Sequence, residues 1–370
     1  MKTNAKVISG FILGAVVGGG VIGGIATANV TQQLGVKVCV DKKSQGIFLA
    51  PPAGCSTSRT ALTLGAPTID VKSIAAVVAP SVVTIKVTSS LGSGTGSGSI
   101  YKSDSNLSYI VTNNHVIENA ATSGTILVEL LNGSTLTAQI VGRDSAYDIA
   151  VLKVNRGNLP TVTVGDSSKI SVGDPVVAIG SPLGLASTVT SGIVSALNRP
   201  VTTGTSGTES FVNAIQTDAA INLGNSGGAL LDSLGRIIGV NSAIATSGAD
   251  SGNIGIGYSI PINEAKRVVD ELIATGKSTR PFLGVEFDRT YTGTGAKIFR
   301  LTAGEAAEKA GIPVGSIITS IGGLRIADST AAVVRIRSYA PGSKVTIVVD
   351  LPNGSEKTFT VTLGSTPSGQ

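Results

Sequence analysis

Apolar and polar residues alternate along much of the chain after about position 80, in short runs bounded by Gly, Asn, Asp or Pro. This period of two is typical of β-strands with one buried face, and the bounding residues are typical of turns. The runs are VVTIKV, YIVTNN, ILVELL, LTAQIV, IAVLKV, PVVAIG, RIIGVNSAI and IGYSIPI. Such close spacing over about 200 residues predicts antiparallel barrels or sandwiches.

A different pattern begins at residues 264–275, where apolar residues recur at helical spacing and Gly276 follows directly. It predicts an amphipathic helix that ends at the glycine and closes a first domain. From Arg280 onward the chain predicts a second, mixed α and β domain of about 85 residues. Its predicted strands are FLGVEF, SIITSIG, KVTIVVD and EKTFTVTL, and its predicted helices are AGEAAEKAG and residues 329–339, which Asp328 or Ser329 can cap.

The N-terminal segment is rich in apolar residues and glycine, and residues 7–30, which follow Lys2 and Lys6, carry no charge. This length suffices to cross a hydrocarbon core of about 30 Å, and the lysines favour a cytoplasmic end at residues 1–6. Residues 26–28 also have the small-x-small form of a signal-peptide cleavage site. The uncharged run exceeds the usual core of a signal peptide, about 7–15 residues, so we predict a transmembrane anchor, with a cleaved signal peptide as the alternative. Either one predicts a catalytic region outside the cytoplasm, single-pass on the cell membrane or secreted after cleavage.

The two cysteines, Cys39 and Cys55, lie in the segment between the apolar run and the first predicted domain. An oxidising, extracytoplasmic compartment would allow them to form one disulfide, with two free thiols as the alternative. We predict that residues 31–73 are an extracytoplasmic linker. Residues 56–71 contain Ser, Thr and Pro and are predicted to be a tether.

Composition narrows the possible chemistry. A length of 370 residues predicts two domains plus connecting segments. The net charge of +5 comes from scattered Lys and Arg without an aromatic-interleaved basic patch, so no nucleic-acid partner is expected. His115 is the single histidine, which excludes a polyhistidine metal centre, and two cysteines are too few for a zinc ribbon. We expect neither a metal nor a cofactor.

Three segments carry residues suited to nucleophilic catalysis. His115 follows a predicted strand in VTNNHVIENA, Asp148 begins another in SAYDIAVLKV, and Ser226 lies in the glycine-rich GNSGGALLD. A serine hydroxyl needs a base to accept its proton, and a buried carboxylate fixes the tautomer of a histidine in that role. Glycines beside the serine allow backbone N–H groups to converge where an oxyanion develops. The chain order His, Asp, Ser is that of chymotrypsin-like proteases.

Each of these residues also has a structural interpretation. His115 can be a structural histidine, GNSGG a simple glycine turn, and Asp148 a turn carboxylate with Asp144 as its rival. Asp148 is preferred because the apolar IAVL follows it directly and can bury it. GNSGG also fits the G-x-S-x-G elbow of α/β-hydrolases, but those enzymes place the histidine after the serine, and no histidine follows Ser226.

The chain resembles the HtrA (Deg-type) serine proteases, a chymotrypsin-like double β-barrel followed by a PDZ domain. The matching strings are VTNNHVI, DIAVLKV, GSPLGL, VTSGIVSAL, IQTDAAINLGNSGGALLD, IGYSIPI, FLGV, EAAEKAGIPVGSIITSIGG and APGSKVTIVV. Together they span about residues 74–363. The resemblance implies a mainly β fold, to which the uncharged segment at residues 7–30 adds the predicted N-terminal transmembrane helix. It also implies a trypsin-like protease domain at residues 74–278, a small α+β PDZ domain at 279–365 and a tail at 366–370.

The resemblance also implies the site residues. It places the family's catalytic triad on His115, Asp148 and Ser226. It places the oxyanion hole on the backbone N–H groups of Gly224, Asn225 and Ser226. The family usually has proline where this chain has Leu223, which leaves the turn before the hole less constrained.

The predicted specificity pocket is small and apolar. The residue six positions before Ser226 is Ala220, where trypsin-like pockets have an acidic residue, so cleavage after Lys or Arg is not expected. Ile221 and the segment 241–245, which includes Ala243, suggest a preference for Val, Ala or Ile before the cut.

The FLGV string resembles the family's carboxylate-binding loop, whose backbone N–H groups hold the C-terminus of a peptide that adds a strand to the sheet. Its residues here are Phe282, Leu283, Gly284 and Val285. Val333 and Ile336 on the following helix are candidates for the side-chain pocket, or else ordinary core residues. Residues 200–210 and 246–253 match variable protease loops that respond to PDZ ligands in related proteins.

The resemblance implies a membrane-tethered, extracytoplasmic serine endopeptidase that degrades misfolded or damaged proteins. Unfolded proteins and C-terminal peptides are its expected partners, and the PDZ domain would bind substrate or regulate the protease. Family members commonly form homotrimers. The alternative is a chaperone-like or peptide-binding scaffold with little proteolytic activity.

Overall fold

The computed structural model describes residues 36–43, 47–49, 51, 54–64, 69–181, 187–203, 210–244 and 255–368. The chain divides into two compact units, Met1–Thr68 and Ile69–Gln370, and each is described by itself. Within the described ranges, no helix has the length and apolar character needed to cross a membrane. The predicted anchor or signal peptide at residues 7–30 lies outside them, as do most of the two predicted regulatory loops.

The N-terminal unit contains a three-stranded antiparallel sheet in the order β2-β1-β3. Its strands are β1 (Val36–Asp41), β2 (Ile47–Leu49) and β3 (Arg59–Leu64). A disulfide joins Cys39, which is buried in β1, to Cys55 in the segment before β3. The segment predicted as a tether therefore contains a strand, because the backbone of residues 59–64 pairs with β1 along its whole length.

The first barrel of the larger unit is a closed antiparallel sheet of six strands in the order β4-β5-β6-β9-β8-β7. The helix α1 (Val71–Val78) precedes it, and α2 (Asn114–Ile117) follows β6. The strands are β4 (Val82–Ser89), β5 (Gly92–Ser103), β6 (Ser108–Thr112), β7 (Thr125–Glu129), β8 (Thr135–Asp144) and β9 (Ile149–Val154). Alternate apolar side chains such as Ile85, Ile110 and Leu152 fill its interior.

The second barrel runs in the order β15-β14-β11-β12-β13-β16 and closes by pairing β15 with β16, while β10 adds a parallel strand to β15. Its strands are β10 (Thr163–Val164), β11 (Pro175–Gly180), β12 (Thr188–Thr203), β13 (Ser210–Thr217), β14 (Ala229–Leu231), β15 (Arg236–Ile244) and β16 (Gly257–Pro261). The expected mainly β fold with two antiparallel barrels is confirmed.

The helix α3 (Ile262–Thr275) follows the second barrel and begins two residues before the predicted helix. Gly276 ends it in the left-handed region at φ 72°, with its N–H donating to the carbonyl of Leu272 at 2.9 Å. The buried face of α3, including Val268 and Val269, packs into a core cluster with apolar residues of both barrels. The packing of α3 against both barrels therefore fixes the place at which the C-terminal part of the chain begins.

The C-terminal part has a six-stranded sheet, in which five strands follow the order β18-β19-β20-β22-β23 and β21 pairs with β20, and a separate β17–β24 pair. Its strands are β17 (Thr279–Phe282), β18 (Val285–Phe287), β19 (Ala296–Leu301), β20 (Ile317–Ile321), β21 (Leu324–Arg325), β22 (Lys344–Asp350), β23 (Glu356–Thr362) and β24 (Gly364–Pro367). Its helices are α4 (Ala306–Lys309) and α5 (Ser329–Arg337). Asp328 caps α5 by accepting from the N–H of Ala331 at 2.8 Å.

The prediction of FLGVEF as one strand is wrong, because the structure breaks it between β17 and β18. Gly284 adopts φ 76° at the break, a backbone conformation that residues with a side chain rarely adopt. The carbonyl of Leu283 turns towards α4 and accepts from the N–H of Ala307 at 2.9 Å. The break leaves β18 as a short edge strand beside a loop.

Candidate active site

His115 and Asp148 meet at the end of the first barrel. His115 lies on α2, directly after β6, and its Nδ1 lies 3.0 and 2.9 Å from the two carboxylate oxygens of Asp148. The backbone N–H of His115 also donates to Asp148 Oδ1 at 3.0 Å. Asn113 donates its side-chain amide to the Asp148 carbonyl at 2.8 Å. The carboxylate thus holds the histidine through both its ring and its backbone.

Asp148 itself is in an unusual position. It is 1% exposed and has φ 53°, in the left-handed region that non-glycine residues seldom occupy. Its Oδ2 accepts a further hydrogen bond from the hydroxyl of Ser242 at 2.7 Å. A buried carboxylate with these partners can orient an imidazole and stabilise it when it is protonated.

The environment of His115 raises its pKa. Burial of the imidazole lowers the pKa of His115. The hydrogen bond and the charge of Asp148, together with the charge of Glu118, raise the pKa by more than burial lowers it, so it lies above its ordinary value of 6.5. The His115 side chain is 42% exposed, so solvent and ligands can reach it.

Ser226 lies in the turn between β13 and β14, and the first barrel holds this turn. The backbone N–H of Ser97, on β5, donates to the Ser226 carbonyl at 2.8 Å, and the Ser97 hydroxyl donates to the Gly224 carbonyl at 2.6 Å. Gly227 has φ 84°, and a Cβ there would lie 2.1 Å from the Ser97 carbonyl oxygen. Only glycine fits this close approach.

The hydroxyl of Ser226 donates to the backbone carbonyl of Ser242 at 3.0 Å. In the adjoining turn, the N–H of Asn225 donates to the carbonyl of Asn222 at 2.9 Å. Among the described residues, the N–H groups of Gly224 and Ser226 have no hydrogen-bond acceptor. Of the three N–H groups expected to form an oxyanion hole, these two are therefore the ones available to a ligand.

A cleft of about 210 Å³ brings His115, Gly224 and Ser226 together. Its other lining residues are Val87, Gly92, Gly94, Thr95, Val116, Asn119 and Leu223. Leu223 is 66% exposed at its edge. The described residues contain no group of three His, Cys, Asp or Glu side chains that could hold a metal ion.

Comparison with known proteins identifies the family. Residues 96–240 match the trypsin-like peptidase domain. The serine protease PepD of Mycobacterium tuberculosis is 44% identical over 327 residues, which cover 85% of this chain and 70% of PepD. A solved structure of the HtrA-type protease AlgW with a tripeptide matches with a TM-score of 0.62 and 35% identity, over 81% of this chain and 98% of AlgW. The chain belongs to the HtrA family of serine proteases.

As an HtrA-family protein, the chain is a serine endopeptidase. Another relative is the periplasmic serine endoprotease DegP of Escherichia coli, 41% identical over 263 residues, or 68% of this chain. The chain spans 53% of the length of DegP.

Two of the three residues expected to form the specificity pocket of this HtrA protein, Ala220 and Ile221, do not line the cleft at Ser226. Ala220 is half-buried, and its carbonyl accepts from the Thr190 hydroxyl at 2.9 Å. Ile221 is 1% exposed and packs in the core of the second barrel. The backbone of Ala243 pairs with Tyr258, but its side chain lies outside the described residues.

The six residues expected to bind a peptide in this HtrA protein do come together. One cavity of about 170 Å³ is lined by Phe282, Leu283, Gly284, Val285, Val333 and Ile336, with Arg280, Pro281, Phe287 and Arg337. It lies between the edge strand β18 and the helix α5. Leu283 and Ile336 are 4% and 6% exposed and also belong to the hydrophobic core. The helix residue Ile336 is therefore both a core residue and part of the cavity lining, the two roles that the sequence left open for it.

Sequence reasoning missed Ser97 and Ser242. Ser97 is 127 residues from the Gly224 that it contacts, and Ser242 is 94 residues from Asp148. Ser97 lies in no distinctive motif, and the segment 241–245 that contains Ser242 suggested only a specificity pocket, so the tertiary structure alone identifies these contacts.

Proposed function

We propose that His115, Asp148 and Ser226 form the catalytic triad of an extracytoplasmic serine endopeptidase that degrades misfolded or damaged proteins. The observation that carries this proposal is the buried Asp148 carboxylate on His115 Nδ1, in the cleft that Ser226 lines. The membership in the HtrA family supports the reaction class. The triad assignment rests on the geometry.

In the proposed reaction, His115 accepts the Ser226 proton as the hydroxyl attacks the substrate carbonyl, and Asp148 stabilises the resulting imidazolium. The N–H groups of Gly224 and Ser226 then stabilise the oxyanion. Because the Ser226 hydroxyl donates to the Ser242 carbonyl, it must rotate towards His115 before the attack. His115 then gives the proton to the leaving amine as the C–N bond breaks, which leaves the acyl group on Ser226. A water molecule that His115 deprotonates attacks this ester, the product acid leaves, and Ser226 regains its proton.

Casein hydrolysis by the full chain tests the assignment. Ser226→Ala is expected to abolish hydrolysis, whereas Ser233→Ala, in an exposed turn, should retain it. Comparable hydrolysis by the Ser226→Ala variant would remove the assignment. Cleavage of a peptide library tests the predicted specificity, and dominant cleavage after Arg would contradict the expected preference for Val, Ala or Ile.

We propose that the C-terminal part acts as a PDZ domain that binds peptide C-termini. The cavity between β18 and α5 supports this role, because β18 is a sheet edge that can accept a peptide strand. A peptide with a free C-terminus is expected to bind more tightly than its amidated form in fluorescence anisotropy. Val333→Asp should weaken binding, and Val314→Asp, which is exposed outside the cavity, should not. Equal binding of both peptides would contradict the proposal.

We further propose that the protein works outside the cytoplasm, tethered by residues 7–30, or secreted after their cleavage. The disulfide between Cys39 and Cys55 supports an oxidising compartment, and DegP is named a periplasmic protease. A homotrimer is the proposed assembly, because it is common in the family. Sedimentation of the purified chain tests it, and a monomer at working concentration would contradict it.

A further inference from the structure

Asp144 is a fully buried carboxylate four residues before Asp148, at the end of β8. Its Oδ1 accepts from the backbone N–H groups of Ala146 and Tyr147 at 2.9 and 3.1 Å. These bonds close the tight turn that connects β8 to Asp148. The turn carries Asp148 at its end, where the backbone enters the left-handed region.

Two hydroxyl groups from distant parts of the chain complete the coordination of Asp144. Ser278, just before β17, donates to Oδ2 at 2.6 Å, and Ser368, just after β24, donates to Oδ1 at 2.8 Å. The N–H of Ser368 also donates to the Ser278 carbonyl at 2.9 Å, which extends the β17–β24 pair. The beginning and the end of the C-terminal part therefore converge on one carboxylate.

The same turn has further contacts with the C-terminal part. Arg337, on α5, donates to the Ala146 carbonyl at 3.2 Å, and the Tyr147 hydroxyl donates to the Arg337 carbonyl at 2.9 Å. Arg337 and Tyr147 are the titratable groups on which the charge of Asp144 acts. The charges that act on His115 are those of Asp148 and Glu118. Asp148 therefore acts on the histidine, whereas Asp144 acts on Arg337 and Tyr147.

We propose that Asp144 is a positioning residue for the catalytic pair, and that Ser278 and Ser368 hold it in place. This inference rests on the proposed role of Asp148. A non-glycine residue in the left-handed region needs its surroundings to hold it there. With its four hydrogen bonds, Asp144 holds the turn that sets the Asp148 backbone, and hence the distance from the carboxylate to His115.

The proposal predicts a particular kinetic signature. Asp144 has no place in the substrate cleft, so its loss should lower kcat and leave KM nearly unchanged. A displaced Asp148 raises the pKa of His115 less, so the acid limb of the pH–rate profile should move to lower pH. A misplacement of about 1 Å can cost roughly 100-fold in rate, so we expect a loss of about tenfold or more for Asp144→Asn.

The experiment measures kcat, KM and the pH profile of peptide hydrolysis by the full chain carrying Asp144→Asn. Ser368→Ala is the milder variant, since it removes one hydroxyl at the chain end, and Ser368→Thr should restore the wild-type values. Asp104→Asn is the control for the turn contacts, because Asp104 likewise accepts from two backbone N–H groups, those of Asn106 and Leu107, but does not line the cleft.

Unchanged kcat and an unchanged acid limb in both Asp144→Asn and Ser368→Ala would overturn the inference. Loss of activity with no shift of the acid limb would also contradict it and would indicate a merely structural role. Failure of the proposed triad gives a different result, because Ser226→Ala would then remain active whatever the behaviour of the Asp144 variants.

Discussion

The hydroxyl of Ser226 donates to the backbone carbonyl of Ser242, with 3.0 Å between the two oxygens. The side chain of Ser242 donates in turn to Asp148 Oδ2 at 2.7 Å. One residue of β15 therefore contacts two members of the proposed triad. Its carbonyl holds the nucleophile in its unreacted position, and its hydroxyl holds the carboxylate.

Replacing Ser242 with Ala tests the second of these contacts. The variant keeps the backbone carbonyl but removes a hydrogen bond to a buried charge, which contributes about 1.5–3 kcal/mol. We expect kcat to fall by roughly 10- to 160-fold, the equivalent of that energy. Ser259→Ala is the control, because Ser259 is also buried, on the next strand, but donates to Asn241. Equal losses in both variants would assign the effect to packing.

The pH dependence of activity follows from the raised pKa of His115. The base must be neutral, so activity should fall as the pH drops through a midpoint above 6.5, the ordinary value. Glu118→Gln removes one of the charges that raise this pKa and should move the midpoint to lower pH. The kcat/KM profile measures both. Glu129→Gln, on β7, is the control, and a midpoint below 6.5 in the wild type would contradict the assignment.

The disulfide gives a prediction for the N-terminal unit. The bond between Cys39 and Cys55 closes a short loop. In the chain-entropy model, this closure raises the free energy of unfolding by about 3 kcal/mol, because it restricts the unfolded chain. Thiol labelling of the denatured, unreduced chain is expected to find no free cysteine, and labelling after reduction should find two. Cys39→Ser should expose one thiol without reduction. Two labelled thiols in the unreduced wild type would contradict the bond.

The chain order of His115, Asp148 and Ser226 and the apolar residues after Asp148 predict one site. The structure places His115 and Ser226 in one cleft and Asp148 behind His115 Nδ1, whereas the Ser226 hydroxyl donates to the Ser242 carbonyl. The strand β5 was not predicted, because its glycines and serines have little intrinsic preference for a strand. It exists because β4 and β6 pair with both of its edges. That pairing depends on the whole barrel and leaves no local signal.

Asp144 shows a related limit of sequence reasoning. Its position makes it a rival of Asp148 for His115, and spacing alone cannot separate the two. The structure separates them because Asp144 points to Ser278 and Ser368, whose contacts span 134 and 224 residues of sequence. Contacts between such distant positions depend on how the C-terminal part packs, which no motif in the sequence encodes.

A half-buried carboxylate, Glu264 at the start of α3, predicts a pH dependence of stability. Burial raises its pKa to about 8, although the charge of Arg267, the side chain of Asn213 and the charge of Arg335 act to lower it. Glu264 lines a cavity of about 410 Å³ that α5 also borders through Arg335. The folded state therefore retains a proton at pH values where the unfolded chain has already lost it.

The sign follows from this difference in proton binding. Between about pH 4.5 and 8 the folded state binds more protons at this site, so the free energy of unfolding should fall as the pH rises through that window. Glu264→Gln removes the titration, so its stability relative to the wild type should increase from pH 5 to pH 8. Urea denaturation at both pH values measures the difference, with the exposed Glu356→Gln as the control. If the free energy of unfolding changed by the same amount between pH 5 and pH 8 in the wild type and in Glu264→Gln, the prediction would be wrong. Glu264 would then be ionised in the folded protein, with its charge solvated by water in the cavity.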